Sequence, residues 1–274
     1  MDRALFEIVP NLSEGRDPAT IEAACAAAEN VGARLLDWSS DAVHHRSVLT
    51  IVGDAAQVLD AAIALAGVAV ARIDLRTHRG AHPRIGALDV LPFVPLENAT
   101  LEQAAALAHR AGAEIWNRYG IPSFYYGAAA RREERRALPD IRRNAGWAPD
   151  EGDLPRHASA GAIAIGARDV LIAFNVELAG DDLAAAREIA LAVRERNGGL
   201  RSLRALALPR GPDRVQVSLN VTDYAATPLY RVVEVVRLLA AERGIEVLGC
   251  ELIGCLPRAA VESAAAYYLG VTHL

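Results

Sequence analysis

Apolar and polar positions along this chain follow two periods, and the order in which those periods succeed one another occurs twice. Residues 6–10 predict a short strand. Ile21, Ala24, Cys25, Ala28 and Val31 then recur at helical spacing, with Asp17 before Pro18 as a start signal and Gly32 as a stop. Residues 34–38 and 48–52 predict two strands around a polar loop at 39–45. A helix opens at Asp54 and runs to about residue 71, and residues 87–94 form the next strand. The order is βαββαβ, the split-βαβ pattern. A further helix over 101–119 and a strand over 123–126 follow.

Residues 131–153 break the periodicity and read as a linker; six arginines between Arg131 and Arg143 could suggest an RNA contact, but Glu133, Glu134 and Asp140 interleave them, which favours a solvated linker or a short surface helix. The earlier order then returns. Residues 162–176 predict a strand with a bend at Gly166, and residues 181–196 a helix closed by Asn197-Gly198-Gly199. Residues 203–208 and 215–221 predict strands around Gly211 and Pro212. A helix over 227–243, a strand over 245–252 and a helix over 257–268 complete the chain. The expected fold is α/β (α+β): two ferredoxin-like split-βαβ subdomains, mixed sheets with helices on the outer faces, and a ligand cleft between. The subdomains are expected at 1–160, with the linker from about 131, and at 161–274.

Composition narrows the chemistry. The 274 residues are 52% hydrophobic, enough for a substantial core, and the formal net charge of −5 argues against broad nucleic-acid binding. Lysine is absent, which excludes a lysine Schiff base and a P-loop. Cys25, Cys250 and Cys255 are too widely spaced to suggest a disulfide framework or a paired zinc motif. The N-terminus lacks a signal pattern, and the apolar runs are Ala-rich or charge-interrupted, so a cytoplasmic protein without a membrane span is expected.

The densest polar segment is residues 77–89. Its glycines and proline predict an irregular loop of the kind that displays catalytic groups. There His82 can move protons near neutral pH, and Arg79 and Arg84 can grip carboxylates. A backbone-satisfied loop histidine is the alternative. A metal pair of His78 and His82 needs a helix that Gly80 and Pro83 disfavour. A second cluster is Asp37, Asp41, His44, His45 and Arg46, which taken alone reads equally as an ordinary polar turn. In a third, residues 159–168, small residues would let a flat ligand approach the backbone, unless the run is simply a buried strand with a bulge. Polar Asn220-Val221-Thr222-Asp223-Tyr224 ends a strand and reads mainly as a turn.

These segments, in order, resemble the formiminotransferase family. The resemblance rests on Val9-Pro10-Asn11-Leu12-Ser13-Glu14-Gly15-Arg16, on Leu35-Leu36-Asp37 with Arg46-Ser47-Val48, and on His82-Pro83-Arg84-Ile85-Gly86-Ala87-Leu88-Asp89. It continues through Tyr126-Gly127, Gly166-Ala167-Arg168, Ala173-Phe174-Asn175 and the run from Gln216 to Tyr224. It implies a homodimer that transfers a formimino group from N-formimino-L-glutamate to tetrahydrofolate without a metal, His82 being catalytic. It places the folate against Gly161, Ala162, Ile163, Ala164, Ile165, Gly166, Ala167, Arg168, Asp169 and Val170. The donor is assigned to Asp37, Asp41, Arg46 and Arg84. The family pattern is departed from at Ser39, at His45 and in a shortened stretch before Trp147. A folate-binding or regulatory relative, or one acting on 5-formyltetrahydrofolate, is the alternative.

Overall fold

The expected first strand is split. Phe6–Ile8 forms β1 and Asn11–Leu12 forms β2, with Pro10, which has no amide hydrogen for a ladder, between them. The structure, a computed structural model, describes residues 3–80, 83–144 and 146–272. Helix α1 (Pro18–Glu29) starts where Asp17 accepts from the Ala19 amide. Strands β3 (Arg34–Asp41) and β4 (Arg46–Gly53) form a hairpin, so the polar residues expected to begin a loop at 39 extend the strand to Asp41. Helix α2 (Ala55–Arg72) has a reciprocal cap between Asp54 and Gln57. It is followed by β5 (Leu88–Pro95), by α3 (Leu101–Tyr119) with a Thr100–Gln103 cap, and by β6 (Ser123–Gly127).

The arginine-rich stretch, expected to be a solvated linker or a short surface helix, does form a short helix, but not all of its charges face solvent. It contains a short helix, α4 (Leu138–Arg143), and Arg135 is 1% exposed. Arg135 Nη1 lies 2.6 Å from Asp150 Oδ1 and its Nη2 donates to the Ala148 carbonyl at 2.8 Å. Its guanidinium sits over the Phe124 and Trp147 rings. Interleaved charges of this kind suggest solvation, but pairing and aromatic contact bury one of the arginines.

The strand expected over 162–176 is two strands. β7 (Ile163–Ala167) pairs in parallel with β5 and β6, whereas β8 (Ile172–Ala179) belongs to a different sheet. The division of the chain, expected after residue 160, therefore lies between Asp169 and Val170. In the first unit the strands run β3-β4-β1/β2-β5-β7-β6. The split-βαβ sheet is thus extended at one side by two parallel strands. One face packs under α1, α2 and α3 around Ile8, Leu49, Ile51, Leu65, Leu91, Phe93 and Ile165. On the other face α4 and Trp147 cover Val90, Phe124, Ala162 and Ala164. Among the described helices, α2 alone has the length and hydropathy of a membrane span; eight of its residues are buried in this core.

The second unit follows the expected order: β8, α5 (Leu183–Val193), β9 (Leu203–Pro209), β10 (Arg214–Val221), α6 (Leu229–Ala241), β11 (Val247–Ile253) and α7 (Arg258–Leu269). Its strands lie β11-β8-β10-β9, all neighbours antiparallel. Phe174, Val176, Leu178, Val217 and Leu219 pack with Ile189, Val193, Val232 and Val236. On the opposite sheet face, Asn175 Nδ2 and Arg210 Nη2 both donate to Glu251, at 3.0 and 2.9 Å, with Leu206 exposed beside them.

Candidate active site

Asp89 sits where the pairing of β2 with β5 slips by one residue, and its side chain is fully buried. Its Oδ2 accepts from Arg46 Nη1 and from Arg142 Nη2, both at 2.7 Å, and its Oδ1 accepts the Ile85 amide at 2.6 Å. Burial opposes the charge, but the two guanidiniums and the amide outweigh it and hold the carboxyl below its ordinary range. Arg46 also donates from Nε and Nη2 to Asn11 Oδ1, at 3.0 and 2.6 Å. One carboxylate therefore ties β4, β5, α4 and the start of the 85–89 segment to one point.

Beside it lies the turn from β3 to β4. Asp41 Oδ1 accepts the Val43 and His44 amides at 2.8 Å each, and its Oδ2 lies 3.0 Å from His44 Nδ1. Burial works against the Asp41 charge and these hydrogen bonds overcome it, so its pKa is lowered. His45 adopts a left-handed backbone, φ +52°. Its Nδ1 accepts the Gly15 amide at 3.1 Å and stands 3.3 Å from Glu14 Oε1. Glu14 Oε1 gathers the amides of Gly15, Arg16 and Asp17 at 2.8, 2.7 and 3.0 Å. Gly15 is required by this approach: a Cβ there would stand 2.3 Å from the Asp41 carbonyl oxygen.

The His78 ring lies against that of His45, with centroids 3.9 Å apart and planes tilted by 30°, and Arg84 Nη1 donates to it. Arg84 Nη2 reaches the His44 carbonyl at 3.3 Å. Burial, the Arg84 charge and His45 lower the His78 pKa to about 4, and burial lowers that of His45 as well. The chemistry gathered here is guanidinium groups, uncharged imidazoles at neutral pH, and carboxylates already fixed by amides. Such a neighbourhood can hold a carboxylate-bearing ligand and orient a group that exchanges protons.

His82 lies outside the described residues. Asp41 is directly across from Arg46, and Asp37 across from Thr50, so all three project from one sheet face. Arg84 joins this group through His44. The small-residue run divides. Ile163, Ile165 and Ala167 face the helix-side core, and Ala162 and Ala164 lie under α4 and Trp147. Gly166 is covered by the Tyr126 ring, to which a Cβ would come within 2.5 Å. Arg168, Asp169 and Val170 are the accessible end of the stretch. Gly161 has φ +71° and lies against the Ile85 carbonyl.

Asn11, Glu14, Asp89 and Arg142 are further side chains of this site, beyond those expected from the sequence. The legible signal was Asp89: a carboxylate within the apolar run of β5 has to be paired to be tolerated there. Among the described residues no group of three or more His, Cys, Asp or Glu side chains is arranged to hold a metal ion.

Residues 5–168 match the formiminotransferase domain, N-terminal subdomain, and residues 173–274 match the formiminotransferase domain. The chain is 38% identical over 280 residues to a glutamate formimidoyltransferase of Streptococcus pyogenes serotype M1, covering 97% of this chain and 94% of that protein. It is 40% identical over 283 residues to a glutamate formimidoyltransferase of Thermoplasma acidophilum, covering 97% and 92%. It is also 37% identical to a formimidoyltransferase-cyclodeaminase of Gallus gallus, covering 97% of this chain and 52% of that longer protein.

Proposed function

The chain belongs to the formiminotransferase family, and on that premise we propose that it transfers the formimino group of N-formimino-L-glutamate to tetrahydrofolate. The observation that carries this reading is likeness along nearly the whole length of two proteins named for that transfer. Tetrahydrofolate is a co-substrate. Its N5 attacks the amidine carbon, the N5–carbon bond forms, and the tetrahedral adduct collapses as the bond to the glutamate nitrogen breaks. The products are 5-formiminotetrahydrofolate and glutamate. One proton leaves N5 and one reaches the departing nitrogen.

In this reading His82 carries both protons in turn, general acid–base work typically worth about 10²–10⁴-fold. The folate lies against the 161–170 segment, through its accessible end at Arg168, Asp169 and Val170. The carboxylates of the donor are gripped near Arg46 and Arg84, with Asp37 and Asp41 facing the amidine. The engagement of Arg46 with Asp89 and Asn11 supports a fixed rather than a roaming cation at that position. No step calls for a metal. The partners are small molecules, with a second copy of the chain completing a homodimer in the cytoplasm; nucleic acid and membrane have no part.

Steady-state kinetics of two histidine variants test the assignment. His82→Ala is expected to lose roughly 10²-fold or more in kcat while folate binding is kept, because the group acts in the transition state. His78→Ala is expected to be milder, since the low pKa of His78 keeps it neutral and bonded to Arg84. Equal, near-wild-type rates for both would remove His82 from the mechanism.

A further inference from the structure

Arg46 and Arg84 carry the same charge in the same site, but they are held by different kinds of partner. Arg46 meets Asp89, a carboxylate that it shares with Arg142. Arg84 donates through Nη1 to His78 Nδ1 and through Nη2 to the His44 carbonyl, and both acceptors are neutral. Its fork also lies against Gly80. A Cβ there would stand 2.5 Å from Arg84 Nη2 and 2.7 Å from the His44 carbonyl oxygen, so a side chain at this position would push the guanidinium or the turn aside. The His78 ring accepts only while Nδ1 carries no proton. Burial, the Arg84 charge and His45 hold its pKa at about 4, so the acceptor persists at neutral pH. A bond to the Ser13 backbone and the His45 ring fix the plane of the imidazole.

An imidazole holds a guanidinium without cancelling its charge, whereas a carboxylate in the same place would hold it and cancel it. Arg84 is half-buried, and Arg16 adds a second cation to its surroundings. Asp89 acts on it from the opposite side, but that carboxylate is already engaged by Arg46 and Arg142. We propose that His78 is a positioning residue: it sets the Arg84 fork, charge intact, to take a carboxylate of formiminoglutamate. The inference rests on the proposed transfer and separates the two arginines assigned to the donor. Arg46 is compensated within the protein, and Arg84 supplies the anion grip. That reaction brings carboxylates from two sources, the donor and the glutamate tail of the folate. The donor is favoured because Arg84 is tied through His44 to the turn that carries Asp41 and Arg46, the neighbouring residues assigned to it.

The experiment is steady-state kinetics with formiminoglutamate at saturating tetrahydrofolate for wild type, His78→Gln, His78→Leu and His78→Glu, beside calorimetric titration of each with 5-formyltetrahydrofolate. His78→Gln keeps a neutral acceptor and should hold the KM for formiminoglutamate within about threefold of wild type. His78→Leu removes the acceptor, and His78→Glu keeps it but cancels the charge. Both should raise that KM about 10- to 100-fold, the range for hydrogen bonds to a charged group. In all three the kcat should stay within about threefold and the affinity for 5-formyltetrahydrofolate within about twofold. An unchanged KM in His78→Leu and His78→Glu, an equal rise in His78→Gln, or a fall in kcat matching the rise in KM would each overturn the assignment. A loss confined to 5-formyltetrahydrofolate would overturn it too, by giving the carboxylate to the folate. If one variant fails to fold, the comparison of His78→Gln with the other decides by itself: equal KM values end the idea. Wild type that transfers no formimino group would remove the proposed function and this inference with it, a result distinct from failure of His78 alone.

Discussion

Arg46 on β4 and Asp89 on β5, separated by 43 positions in sequence, meet at 2.7 Å with the carboxylate wholly buried. Arg142 meets the same oxygen from α4 at the same distance. Two cations share one anion, so removing the anion leaves more uncompensated charge than removing either cation. Asp89→Asn should destabilise the first unit by about 3–5 kcal/mol, the usual range for breaking a buried pair from one side. Arg142→Met should be milder, because Arg46 still satisfies Asp89. Urea unfolding of the two variants measures the order, and an Asp89→Asn protein as stable as Arg142→Met would contradict it.

A second expectation concerns acid. The His78 pKa is lowered to about 4 by burial, the Arg84 charge and His45. Above its unfolded value of about 6.5, both folded and unfolded chains hold it neutral and it has no effect on stability with pH. As pH falls from about 6.5 to 4, the unfolded chain binds a proton that the folded chain refuses, so stability falls through that window. His45 shifts the same way. The drop in Tm between pH 7 and pH 5 should therefore shrink in His78→Gln. An unchanged drop would show that His78 is not held neutral.

Gly166 makes a third case. A Cβ there would approach the Tyr126 ring to 2.5 Å, and Tyr126 is buried beside Arg168. Gly166→Ala should displace the ring and weaken 5-formyltetrahydrofolate about tenfold or more while leaving the KM for formiminoglutamate nearly unchanged, because the donor anchors lie on other strands. Loss of donor affinity alone would place Gly166 outside the folate site.

The parts of the fold readable in the sequence were those in which one element buries one face. The second unit after β8 is the clearest case: α5, β9, β10, α6, β11 and α7 lie within a few residues of where the periods place them. The first unit was harder where residues are buried on both faces. β7 reads Ile-Ala-Ile-Gly-Ala with every residue buried, so its pattern runs on into β8 and hides the boundary at Asp169. In the 131–153 segment the burial of a charge was hidden for a different reason. Arg135, Asp150 and Trp147 are individually surface-type or ambiguous, and only their mutual contacts make burial favourable. At the site, His45 and His78 were visible as polar loop residues, but their ring contact and their separate ties to Glu14 and Arg84 depend on a long-range approach that spacing cannot express.

The most direct test of the account is a single turnover with N-formimino-L-glutamate labelled at the formimino carbon, tetrahydrofolate and excess purified protein, with no metal added. The account predicts that label leaves the donor and appears on folate N5, with one glutamate released per labelled folate. Label retained in the donor, or released to water while tetrahydrofolate stays unmodified, would contradict formimino transfer as the activity of this chain.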